Sequence, residues 1–123
     1  MLSGLRRRFR RPQTEMSAAL AAEPPVYGPE KAVYSGGTNA YPKVNGNGLI
    51  ALTRERLLFR ILIGTNVDIL VADITGVREE TAFRRQRVGG KRFLVIETRQ
   101  GEVGFLVDDL AAWRAQLPQG NPV

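Results

Sequence analysis

The sequence predicts a mainly β domain closed by a single C-terminal α-helix, and three observations predict it. Apolar residues from Lys31 onward fall in short runs separated by turn residues at close, regular intervals. The clearest runs alternate with period two, as half-buried strands do. The period then changes once, to a helical one, after Asp108. A chain of 123 residues suits one such core rather than two.

Residues 1–29 read as a flexible tail, basic and proline-containing. Pro12, Pro24, Pro25 and Pro29 punctuate it, and its apolar residues are sparse. A short helix over 14–22 with Thr14 as its cap fits inside it. Met16 is an alternative start. The domain itself runs over 30–118, and 119–123 reads as a loose C-terminus.

Within the domain, Lys31 to Tyr34 forms a first strand and Gly36-Gly37 a turn. Asn45-Gly46-Asn47-Gly48 is a turn signal, because its residues tolerate positive φ. Leu49 to Thr53 and Leu57 to Ile63 follow as strands joined by Arg54-Glu55-Arg56. In the second, Leu57, Phe59, Ile61 and Ile63 share one face and Arg60 points the other way. Gly64-Thr65-Asn66 turns the chain, and Val67, Ile69 and Val71 then alternate with Asp68 and Leu70. A further strand spans Ile74 to Phe83, and Arg84 to Arg92 forms a basic loop containing Gly89-Gly90. Phe93 to Thr98 is β-branched and aromatic along most of its length. Gln100-Gly101 turns into a last strand with Val103, Phe105 and Val107 on one face. Asp108 or Asp109 caps the final helix, Leu110, Trp113 and Leu117 form its apolar stripe, and Pro118 ends it. A barrel or curled sheet plugged by that helix accommodates the pattern.

Composition narrows the chemistry. The chain has no cysteine and no histidine. Disulfides, thiolate nucleophiles and the usual zinc ligand sets are absent, as is the commonest general acid–base side chain. Serine and threonine have no histidine to activate them, and no Ser-x-x-Lys arrangement occurs. Asp68, Asp73, Asp108 and Asp109 are not spaced as a calcium loop. No cofactor is predicted. The net charge is +6, and residues 1–22 hold +4 of it, five arginines against Glu15 alone. The remainder, with 13 basic and 11 acidic groups, is only +2. The basic pI thus describes the tail, and nucleic acid is disfavoured because only Phe9 and Phe83 could stack. No run approaches the roughly 20 apolar residues of a bilayer span, and Pro12 to Glu15 interrupt any secretory apolar region.

The stretch from Gly48 to Phe59, GLIALTRERLLF, resembles the G-x-L-x-L-T-x-x-R-L-x-F hairpin of bacterial PH-like and GRAM-like domains. Ile69 with Ala72-Asp73-Ile74-Thr75-Gly76-Val77 resembles their I-x-x-x-D-I-x-x-V segment. Phe93 to Thr98, Gly101 and Phe105 match the closing hairpin, and Asp108 to Leu117 the terminal helix. The resemblance covers roughly residues 30–117. It implies a PH-like seven-stranded barrel of two near-orthogonal sheets capped by the helix. It also implies a binding or adaptor module without catalysis; the lack of cysteine fits a reducing cytoplasm, where such a module is expected, peripheral at the inner face of the membrane. Members of such families contact anionic lipids, proteins or the cell envelope. Between Asn39 and Gly48 only Lys43 is basic, which does not match a phosphoinositide signature.

Two basic clusters are the candidate sites. Arg84, Arg85, Arg87, Lys91 and Arg92 place five positive charges within nine residues, suited to anionic headgroups or an acidic protein surface. Glu79 and Glu80 on the preceding strand are candidates to neutralise part of this charge. Arg6, Arg7, Arg8, Arg10 and Arg11 form the second cluster, with Leu2, Leu5 and Phe9 on one helical face for a membrane surface. The competing expectation is an assembly role through a sheet edge, with Leu70 and Leu94 as outward apolar residues.

Overall fold

A computed structural model describes residues 2–118, with side chains from Phe9 onward; the loose C-terminus expected at 119–123 lies outside the described residues. Seven strands form the body: β1 (Pro25–Gly37), β2 (Gly46–Thr53), β3 (Arg56–Ile61), β4 (Val67–Leu70), β5 (Ile74–Glu80), β6 (Phe93–Thr98) and β7 (Gly101–Val107). Helix α1 (Leu2–Ala22) precedes them, α2 (Leu110–Gln116) follows, and a 3-10 turn at Val71–Asp73 links β4 to β5. All pairings are antiparallel, and the strands form one sheet in the order β4-β3-β2-β1-β7-β6-β5. The mainly β class is as predicted, but the closed barrel of two sheets is replaced by a single open sheet. The chain leaves β4 after four residues through the 3-10 turn, and no ladder joins β4 to β5.

The inner face holds the main core. Tyr34, Ile50, Phe59, Ile69, Val77, Ile96 and Phe105, one from each strand, are buried in one cluster with Trp113 of α2 and Leu117, which follows it. Ile69 and Val77, on the two edge strands, are buried although the seven-residue α2 is the one described helix on this face, so the sheet curls over its own inner face. The rings of Tyr34, Phe59 and Phe105 pack at tilted angles with centroids 5.4–5.7 Å apart. Asp109 caps α2 by accepting from the Ala112 amide at 3.0 Å. Trp113 is fully buried, meets Tyr27 edge-on at 4.7 Å and donates its indole N–H to Glu30. The predicted Leu110/Trp113/Leu117 stripe thus faces the core, with Leu110 partly buried.

The outer face is covered in two places, and here the expected tail is overturned. The segment over 2–22 is helix α1, and β1 begins at Pro25 rather than near Lys31. Pro12 and Met16 are buried, and Phe9, Ala19 and Leu20 are half-buried, a stripe at helical spacing. Met16 packs on Leu49, Ala51 and Leu58, the outward residues of β2 and β3. Polar ties hold the docked part at its middle and just past its C-terminal end. Glu15 accepts from Asn66 at 2.6 Å, and Glu23 accepts from the Thr53 hydroxyl at 2.9 Å and from Arg56. Thr14 lies inside the helix and is exposed, so it is not a cap. Arg60 does point away from the core, as expected, yet it is buried and donates to Asp68 at 2.6 Å.

Three smaller expectations also change. Gly46 and Gly48 belong to β2, not to a turn; a Cβ on Gly48 would sit 2.2 Å from the Arg60 carbonyl oxygen, so only glycine permits that approach. Ile63 leaves the sheet after Ile61 and is 85% exposed. Leu94 is fully buried in the main core, whereas Phe93 and Val95 face outward beneath another cover. Leu70 alone of the two outward leucines is exposed, on edge strand β4.

Candidate functional site

The second outer cover is the start of the basic loop. Strand β5 ends at Glu80, so the chain over 81–92 folds back on β6 and β7. Phe83 plugs it down, 5% exposed, against Phe93, Val95 and Leu106. Gly104 leaves the space, because a Cβ there would lie 2.5 Å from the Phe83 ring. Phe83 and Gln86 then exchange backbone hydrogen bonds of 3.0 and 2.9 Å around a two-residue turn. Its central residues, Arg84 and Arg85, have φ of 49° and 66°. Positive φ at both positions is the type I′ pattern, which normally selects Asn-Gly. Side chains outside that preference cost of order 1–3 kcal/mol each and persist only where the surroundings hold them.

Those surroundings are specific. The Gln86 amide donates to the Ser35 carbonyl at 2.8 Å, and its oxygen accepts from Asn45 at 2.5 Å. Arg84 donates to the Lys43 carbonyl at 2.9 Å. A second turn follows, closed by the Lys91 amide to the Val88 carbonyl at 2.8 Å, with Gly90 at φ 74°. A Cβ on Gly89 or Gly90 would touch nothing within 4 Å, so this turn stands clear of the body. The loop is therefore pinned at 83–86 and open at 88–91.

Arg84, Arg85, Arg87, Lys91 and Arg92 are all exposed. Among the described residues the one ion pair from this loop joins Arg92 to Glu79 at 3.4 Å, with the arginine side chain 63% exposed. Such a pair neutralises little. Glu79 is also held by Arg114 at 2.9 Å, and these hydrogen bonds, Arg114 first, keep its carboxyl below the usual glutamate range. Glu80 turns to Arg78, which it shares with Glu97 and Glu102 at 2.6–2.7 Å. Three carboxylates raise the already high pKa of that guanidinium. Of the two acids expected to quench the loop, Glu80 is spent elsewhere and Glu79 is divided.

The N-terminal cluster is only partly placed. The side chains of Leu2, Leu5, Arg6, Arg7 and Arg8 lie outside the described residues. Arg10 is exposed, and Arg11 pairs with Glu15 at 2.8 Å. Phe9 sits under the Lys31 ammonium at 4.8 Å. Phe9, Lys31, Val33, Asn47 and Lys91 line one shallow depression of about 170 Å3. Helix α1 and the basic loop thus meet across the outer face of β1. Lys31 joins the basic residues there, a position that its place in a strand pattern did not single out.

Two of the four aspartates considered for a metal have other work. Asp68 accepts from Arg56 and Arg60, and Asp109 caps α2. Among the described residues no three acidic side chains converge as metal ligands. None of their helices is long and apolar enough to cross a membrane. No family model, curated protein or solved structure matches the chain.

Proposed function

We propose that the chain is a non-catalytic, PH-like binding module that docks peripherally on an anionic membrane surface at its cytoplasmic face. The supporting observation is the loop 84–92, which holds its cations exposed on a pinned turn with a single weak ion pair. Seven antiparallel strands with a terminal helix on their common inner face support the PH-like reading. Lys31, which lines the same shallow depression as Lys91, extends the positive region beyond the loop.

Each basic residue near an anionic surface contributes about 1 kcal/mol. The protein should co-sediment with phosphatidylserine-containing vesicles and not with phosphatidylcholine alone, and raising salt from about 0.1 M to about 0.5 M should release it. Equal binding to neutral vesicles would refute the reading. A second reading has one observation behind it: Leu70, 52% exposed on the four-residue edge strand β4, could seat a second copy or a protein partner. Concentration-dependent light scattering that Leu70→Lys abolishes would favour it.

A further inference from the structure

We infer that Val44 and Ile63 are a paired apolar anchor that enters the interfacial layer of an anionic bilayer beside the Arg84–Arg85 turn. The inference rests on the membrane reading above and specifies which end of the molecule faces the lipid. Val44 is 75% and Ile63 85% exposed, the highest values among the large apolar side chains described. Scattered exposed apolar residues are ordinary, but these two stand at one rim. The β2–β3 hairpin brings their loops together. The Leu62 amide donates to the Asn47 carbonyl at 2.8 Å, and a Cβ on Gly46 would lie 3.8 Å from the Ile63 carbonyl oxygen.

Basic groups flank this rim. Arg84 reaches the Lys43 carbonyl and Asn45 holds Gln86, so the arginine turn is tied to the two residues on either side of Val44. Lys43, Arg84 and Arg85 are exposed there; the Lys43 ammonium also donates to the carbonyls of Asn39 and Tyr41 at 2.9 and 3.2 Å. Nearby acids are already engaged: Asp68 by Arg56 and Arg60, Glu102 by Arg78. The opposite end of β1, at Tyr27 and Glu30, carries Trp113 of α2, so the plugging helix lies away from the rim. Two separate apolar tips among cations offer a protein little contiguous area. A bilayer interface takes both, with the apolar tips among the upper acyl segments and the guanidinium groups at the phosphates.

The test uses full-length Val44→Trp and Ile63→Trp variants with phosphatidylserine-containing vesicles. Trp113 has no exposure and serves as a constant background. Both reporters should shift to the blue on binding and be quenched by brominated lipid, and the Val44→Asp/Ile63→Asp pair should bind about tenfold or more weakly. An unchanged thermal midpoint certifies that the exposed substitutions leave the fold intact. If wild type binds while the reporters stay unquenched and the aspartate pair binds normally, the anchor is wrong and the membrane reading stands. If wild type does not bind, both fall. If the aspartate pair abolishes self-association and spares vesicle binding, the tips belong to a protein contact and the anchor is overturned.

Discussion

Gly104 sets the position of a loop through the side chain it lacks. The Phe83 ring occupies the space above it, and that ring ties the arginine turn to the sheet. In Gly104→Val the ring has to leave, with an overpacking cost of about 1–3 kcal/mol. Amide exchange should then accelerate over 83–92 and stay slow in β2 and β3; uniformly slow exchange would show that Phe83 does not anchor the loop. Little of this was legible in the sequence. An Arg-Arg pair is no signal for a type I′ turn, and this one is held through Arg84 and Gln86 by Ser35, Lys43 and Asn45 from distant segments. Ile63 misled for a related reason: alternation continues through it, but the ladder ends at Ile61, where the backbone amide turns to the Asn66 side chain at 2.9 Å.

At the scale of elements, α1 is the main departure, and a signal for it was present. Leu49-Ile50-Ala51-Leu52 and Leu57-Leu58-Phe59 are continuous apolar runs, and such strands are covered on both faces. The core covers one; only the N-terminal segment was left to cover the other. Its prolines concealed it, since Pro12 removes one helix hydrogen bond yet is itself buried in the docking stripe. The C-terminal helix was readable because its cap, stripe and stop all agree. Docking of α1 should be acid-sensitive. Arg11, then Asn66, lower the pKa of Glu15, and Arg56, then Thr53, lower that of Glu23, both from an ordinary 4.5. A lowered folded-state pKa gives stability that is present above about pH 4.5 and is lost as pH falls through the folded values. Thermal midpoints should therefore drop from pH 5 towards pH 3, and Glu15→Gln/Glu23→Gln should flatten that dependence while lowering the plateau. An equally steep acid decline in the double variant would place the titration elsewhere.

Across the whole molecule, seven strands curl over one core, α2 closes the β1 start, and α1 and the basic loop cover the outer face. Among the surfaces left exposed are the far rim, where basic loop, Val44 and Ile63 meet, and the β4 edge with Leu70. These surfaces correspond to the two competing functions. Strand count, class and helix were set by local pattern and could be read; the open edge and the convergence at the rim depend on pairings between distant segments and could not. Hydrogen–deuterium exchange with and without phosphatidylserine-containing vesicles separates the surfaces in one measurement. Membrane docking predicts slowed exchange at 83–92, 43–45 and 62–66, with 67–70 and α2 unchanged. Protection confined to 67–70, or none at all, would contradict it.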